Sequence, residues 1–199
     1  VIIIEDAQGT PAWMKARCGL PTASVTDMII TTKGEPSKQR DKLLYQLAGE
    51  RLTGAKMESY QNGAMTRGIE MEAEARAAYE LWKDVDVQQV GLCLSDCGRY
   101  GASPDGIVGK GGLEIKSPTL PVAVEYLDKG KLPTAYFQQV HTQILVCGFE
   151  WVDFVSYYPG LKPLIIRVLP DHDFMAKLSD ALDSFCAELD TLTARLAGE

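Results

Sequence analysis

The sequence predicts an α/β fold, a mixed sheet flanked by helices, and three observations predict it. Met71, Ala75, Ala78, Tyr79 and Trp82 recur at helical spacing and make one apolar stripe over residues 66–84. Between residues 85 and 117, short apolar runs are broken by glycines and an Asp-Gly pair, as strands joined by turns are. Beyond them, helix-length segments alternate with two further strand-like runs. With 199 residues and neither repeats nor Ser/Gly linkers, the chain reads as one domain, 1–199, large enough for a real core.

In chain order, residues 11–19 read as a short helix stopped by Gly19. Thr22-Ala23-Ser24 opens a second, with a hydroxyl near its start to cap it. Residues 38–53 suit a third helix and 66–84 a fourth. On the fourth, Glu70 and Glu74 lie away from the apolar stripe, while Glu72 stands at its edge next to Tyr79 and is best able to look inward. Strands are expected at 85–95, 100–108 and 113–117, then helices at 120–129 and 134–147. Gln139 and Gln143, four apart, share a helix face with Tyr136, a polar seam suited to a solvated edge or to a cleft wall. Strands at 151–158 and 164–169 follow, and a long helix over 171–197 entered through Asp171.

The composition is that of a water-soluble globular protein, 46% hydrophobic and 24% charged. No apolar run reaches the roughly 18 residues of a membrane span, and Val1-Ile2-Ile3-Ile4 is too short for a signal peptide. The five cysteines (Cys18, Cys93, Cys97, Cys147, Cys186) include no C-x-x-C pair and read as reduced thiols in a cytoplasmic protein. The net charge of −7 is unusual for a nucleic-acid binder. It is unevenly spread: residues 13–56 carry eight Lys/Arg against four Asp/Glu, whereas residues 170–199 carry two against seven. Phosphates respond to the local basic surface rather than to the total, so DNA stays open as a substrate.

The chemistry concentrates in Ser103-Pro104-Asp105-Gly106 and Gly112-Leu113-Glu114-Ile115-Lys116. Strand alternation puts Glu114 and Lys116 on one face and Ile115 on the other, and a glycine turn lets Asp105 fold back beside Glu114. Two carboxylates, the Ile115 carbonyl and an ammonium would then share a small volume. Hard divalent cations take such oxygens, and they supply what phosphodiester hydrolysis needs: an acidified water and neutralised phosphate charge. Lys116 would orient or help deprotonate that water. Each part is also ordinary. Asp-Gly is a common turn pair, and Glu-x-Lys would serve as an ion pair on an exposed strand. Arg17 would serve as a surface salt-bridge partner, and Ser24 as a helix cap.

In combination, these residues resemble the PD-(D/E)xK nuclease superfamily, and more narrowly the lambda exonuclease and YqaJ-type viral recombinase family. Trp13-x-x-x-Arg17 with Thr22-Ala23-Ser24, Arg67-Gly68 through Glu72 and Ala75, the two hairpin motifs, Tyr136-Phe137-Gln138-Gln139-Val140 and Trp151–Tyr157 follow the family's order. The resemblance implies a restriction-endonuclease-like core. It implies metal held by Asp105, Glu114, the Ile115 carbonyl and Glu72, with Lys116 and Gln139 as further catalytic residues. Arg17, Ser24 and Ser103 would bind a 5′-phosphate. It further implies two Mg²⁺ ions (Mn²⁺ as substitute) and processive 5′-to-3′ digestion of double-stranded DNA ends. A homotrimeric ring, a phage single-strand annealing protein as partner and the cytoplasm of a bacterial host are also implied. Two departures stand out: His141 occupies a position often held by glutamine, and Arg67 one often held by tryptophan. The alternatives are a PD-(D/E)xK endonuclease, such as a restriction enzyme or junction resolvase, and a catalytically silent DNA-end binding module.

Overall fold

The computed structural model describes residues 1–57 and 63–198, with residues 63–70 described by their backbone. The side chains of Arg67 and Glu70 therefore lie outside the described residues. The mixed α/β architecture is as expected, with one correction: the strands form two sheets. The first is antiparallel, in the order β1 (Ile2–Ile4), β2 (Leu92–Leu94), β3 (Gly101–Ala102). The second runs β4 (Gly106–Val108), β5 (Gly111–Lys116), β6 (Trp151–Ser156), β7 (Leu164–Val168), with β5 and β6 parallel and the outer pairs antiparallel.

The split has a local cause. The run expected as one strand at 100–108 stops after Ala102, because Pro104 has no N–H to give a ladder, and the chain passes there from one sheet to the other. The run expected at 85–95 pairs as a strand at Leu92–Leu94, plus one bridge between Gln88 and Ile107. Gly91 sits between them, with the space its Cβ would need filled by the Asp6 and Ile4 carbonyls.

Six α-helices surround the sheets among the described residues: α1 (Pro11–Ala16), α2 (Arg40–Thr53), α3 (Gly63–Lys83), α4 (Leu120–Lys129), α5 (Phe137–Cys147) and α6 (His172–Ala197). The segment after Thr22 is a 3-10 helix, Ala23–Met28, and no side chain caps it, so the capping role expected of Ser24 is not its role. A separate 3-10 turn, Thr134–Tyr136, precedes α5. Asp171 does cap α6, accepting from the Phe174 N–H at 3.0 Å.

Strand alternation divides the second sheet's faces. Leu113, Ile115 and Val155 pack with Ala75 and Tyr79 of α3, while Val152 packs with Val140 and Ile144 of α5. Trp82, expected in the α3 stripe, is 42% exposed and leans on Tyr157, so the buried stripe ends at Tyr79. The largest apolar cluster joins Leu43, Leu44 and Leu47 of α2 to Leu178, Leu182 and Phe185 of α6. Around it the acidic terminal helix meets basic partners: Glu188 with Arg40 and Asp190 with Arg51, both at 2.6 Å, and Asp183 with Arg99 at 3.0 Å. No helix among the described residues is long and apolar enough to cross a membrane.

The turn into β5 depends on glycine for space. A Cβ on Gly112 would lie 2.5 and 2.7 Å from ring atoms of Phe149, itself buried. Gly112→Ala is therefore expected to cost about 1–3 kcal/mol of stability through overpacking. A urea titration checks it, and an unchanged midpoint would contradict the packing argument.

Candidate active site

The hairpin of β4 and β5 folds as its sequence requires. The Asp105 N–H donates to the Leu113 carbonyl at 2.9 Å, which extends the ladder by one pair and sets Asp105 opposite Glu114. The Asp105 carboxylate then accepts from the Ile115 N–H at 2.6 Å. Glu114 is 1% exposed, so it does not form an ion pair on an exposed strand. Its strand lies between β4 and β6, and its face is covered by α5.

Every contact of Glu114 is specific. Lys116 Nζ lies 2.5 Å from its Oε1, as two residues on one strand face should. Gln139 donates to the same oxygen at 2.6 Å, and Gln143 donates to the other. The polar seam on α5 is thus a cleft wall. Tyr136 closes the near side, with Lys116 Nζ 5.2 Å from its ring centroid. His141, two residues from Gln139, points the other way. It is 1% exposed, packs on Phe137 and Phe174, and has its Nδ1 2.8 Å from the Phe137 carbonyl oxygen. Burial lowers its pKa. His141 belongs to the core.

Electrostatics favour a cation at this site. Asp105 is held well above the usual carboxylate range, first by burial and then by the charge of Glu114. Glu72 adds to the same effect, and its carboxylate accepts from Arg76 one helical turn on. Arg76 also donates to the Asp105 carbonyl at 3.2 Å, tying α3 to the hairpin. Burial alone would lower the Lys116 pKa, but Glu114 and Asp105 outweigh it and the ammonium is held above its ordinary value. Among the described residues, no three acidic, His or Cys side chains close into a metal-holding cluster. The Asp105 and Glu114 carboxylates nevertheless fit a hard divalent ion: both are oxygen donors, and the Glu114 charge disfavours that of Asp105 in its absence.

A second cluster lies two residues away along the chain. Trp13 Nε1 donates to Ser103 Oγ at 3.2 Å, and the Arg17 guanidinium lies 4.2 Å from the centroid of the Trp13 ring. Arg17 donates to Thr22 Oγ1 at 2.9 Å and to Ser24 Oγ at 3.2 Å. Pairing of the Pro21-Thr22 segment with Gly101 sets these hydroxyls beside the strand that leads to Ser103. Arg17 makes no surface salt bridge among the described residues. Its Nε is buried without a partner, and burial brings its pKa down to about 10. The expected phosphate residues Arg17, Ser24 and Ser103 are thereby brought together, and Asp105, Glu114, Lys116, Gln139 and Glu72 form the neighbouring group. Sequence reasoning missed Trp13, Thr22 and Arg76 as members of these groups. Two of them carried a signal: Trp13–Arg17 and Glu72–Arg76 are each four apart on a helix.

Residues 12–150 match the YqaJ-like viral recombinase domain. The alkaline exonuclease LHK-Exo from Laribacter hongkongensis is 34% identical over 94% of this chain and 96% of its own, with a TM-score of 0.86; the match to its complex with dAMP gives the same values. A phage-related exonuclease from Haemophilus somnus 129PT shares the fold, with a TM-score of 0.71 at 13% identity over 89% of this chain and 96% of its own. No curated protein matches. With well over half its length in that domain and an exonuclease superposing along nearly all of it, the chain belongs to the YqaJ-like viral recombinase family.

Proposed function

We propose that the chain is a Mg²⁺-dependent exonuclease that removes nucleotides from the 5′-ended strand of duplex DNA and leaves 3′ single-stranded overhangs for recombination. That it is a deoxyribonuclease with a divalent-metal cofactor follows from its family and from its likeness to LHK-Exo. The polarity rests on one observation: the Arg17, Thr22, Ser24 and Ser103 cluster is joined through Pro104 to the Asp105–Glu114 pair. A donor-rich pocket that close to the cutting residues suits a strand end held by its terminal phosphate. The dAMP bound to LHK-Exo is a nucleoside 5′-monophosphate, the class of product such cleavage releases.

In this reading Asp105, Glu114 and the Ile115 carbonyl would hold two Mg²⁺ ions, with Mn²⁺ as substitute, and Glu72 would complete the acidic wall. When bound, the metal neutralises phosphate charge and makes water a stronger nucleophile. Lys116 would stabilise charge on the phosphate and orient the attacking water. Gln139 and Gln143 hold Glu114 so that its carboxylate keeps one orientation. Arg17, Ser24 and Ser103 bind the 5′-phosphate. We extend the proposal to a single nuclease domain over 1–199 that works processively as a homotrimeric ring. Its partner would be a phage single-strand annealing protein, in the cytoplasm of the bacterial host.

End-labelled linear duplex, with and without a 5′-phosphate, tests polarity. Mononucleotides should appear from the 5′-ended strand, while a covalently closed circle stays intact. Nicking of the circle would favour an endonuclease, and absence of any cleavage a silent DNA-end binder. Arg17→Ala is expected to reduce digestion of phosphorylated ends by about 10- to 100-fold, the worth of a charge-assisted phosphate contact. Equal losses on phosphorylated and unphosphorylated ends would count against the pocket.

A further inference from the structure

Of the eight basic residues between 13 and 56, Arg40 and Arg51 alone have ion pairs among the described residues, and Arg17 and Lys56 are the two that meet on one aromatic ring. Arg40 and Arg51 are paired with Glu188 and Asp190 of α6, both at 2.6 Å. Arg17 and Lys56 have no ion pair among the described residues. Yet these two cations share one indole: the guanidinium lies 4.2 Å and the Lys56 Nζ 5.9 Å from the centroid of Trp13. Like charges held on a common ring repel, and in free solution Lys56 would swing away.

The surrounding chain sets the backbone that carries it, although the residue itself is exposed. Glu50 is 3% exposed and accepts from the Gly19 N–H at 3.0 Å through one oxygen. Through the other it accepts from Gln46 at 3.1 Å and from the Met57 N–H at 3.2 Å. Its carboxylate therefore clamps the residue after Lys56 to the turn after Arg17, while its oxygens are engaged elsewhere. The Lys56 pKa is lowered, first by burial of the ammonium and next by Arg17, with Glu50 opposing. Arg17 Nε, buried and without a partner, faces the same shortage of negative charge. Thr22 and Ser24 accept from Arg17 and lie 3.3 Å from each other, so at most one of their two protons is used between them.

We infer that Lys56 is the second cation of the phosphate pocket and matches the second negative charge of a terminal 5′-phosphate. This rests on the pocket proposed above for Arg17, Ser24 and Ser103. A phosphomonoester carries about −1.5 to −2 at neutral pH, whereas an internal phosphodiester carries one charge. Arg17 with hydroxyl donors suits either. A second cation on the same indole adds binding where the second charge exists, so Lys56 reads strand ends rather than strand interiors.

The test is equilibrium binding of the full chain, in EDTA so that nothing is cut, to one duplex carrying either a 5′-phosphate or a 5′-hydroxyl. Wild type should prefer the phosphate. Lys56→Met should reduce the preference ratio by about tenfold, the order expected for one charge-assisted contact, and Lys56→Arg should keep most of it. An equal loss of affinity for both ends in Lys56→Met would make Lys56 a general backbone contact and overturn the inference. An unchanged ratio in Lys56→Met, with the ratio abolished in Arg17→Ala, would overturn it while leaving the pocket standing. A ratio that survives Arg17→Ala would overturn the pocket itself, and the Lys56 assignment with it.

Discussion

Asp105→Asn is expected to lower metal-dependent release of nucleotides from linear duplex by a factor of about a thousand, while the metal-free protein melts no lower than wild type. The two halves have one cause. Asp105 and Glu114 stand opposite each other on the hairpin, and burial followed by the Glu114 charge holds the Asp105 carboxyl above its usual range. The amide of asparagine keeps an oxygen for the Ile115 N–H, which now bonds to the carboxylate at 2.6 Å. It removes the repulsion and with it one metal ligand. Adding Mg²⁺ should therefore raise the melting temperature of wild type and leave the variant unmoved, because a ligand stabilises only the state that binds it. Lys116→Ala should lose about 10²–10⁴-fold in rate, yet keep the Mg²⁺-dependent rise in melting temperature. Near wild-type turnover in either variant would refute the site, and a metal response retained by Asp105→Asn would remove that residue from the ligand set.

Asp153→Ala is expected to be the most damaging single change to stability outside the apolar clusters, at about 2–4 kcal/mol. Asp153 is fully buried on β6, directly beside Leu113 of β5, the strand that carries Glu114 and Lys116. It accepts from the Tyr79 hydroxyl at 2.8 Å and from two nitrogens of Arg167 at 2.8 and 2.9 Å. Arg167 is half-exposed and lies over Trp151, so water would rehydrate it and it adds little to the cost. Tyr79 is 1% exposed, and its hydroxyl would be left with Arg167 alone. Burial, then the bond to Asp153, already pushes the Tyr79 pKa upward. Tyr79→Phe should cost less, about 1 kcal/mol, because Arg167 still satisfies the carboxylate. Chemical denaturation of both variants and of the double variant checks this. Simple additivity would show that Tyr79 and Asp153 do not act as a pair. Since Tyr79 sits on α3, the variant should also loosen the helix that carries Glu72.

The centre of the site was legible in the sequence because two short-range rules govern it. Period-two alternation alone puts Glu114 with Lys116, and a glycine turn alone returns Asp105 to them. The helical repeat likewise paired Gln139 with Gln143, although it did not say which face looked at the sheet, and the place of His141 in the core was not read from it. The break between the two sheets was not legible, since apolar alternation at 85–95 and 100–108 does not reveal whether a partner strand exists. Nor were the contacts of Lys56, where a lone lysine beyond a helix end has no period and no motif. Its position comes from Glu50 bonding to chain segments far apart in sequence. The ion pairs of the acidic terminal helix were hidden for the same reason, because its partners Arg40, Arg51 and Arg99 are remote along the chain.

The parallel pairing of β5 with β6 has a consequence during biosynthesis. Glu114 sits across from Phe154, and its carboxylate is gripped by Gln139 and Gln143, both made after it. A ribosome that has just finished the hairpin has released a lone strand with no parallel neighbour and no helix over its acidic face. Such pairings form late because the intervening loop must close first. The Asp105–Glu114 arrangement with its glutamine clamp therefore comes into being only when most of the polypeptide has been synthesised, so truncated products of interrupted translation would carry the carboxylates without the groups that hold them.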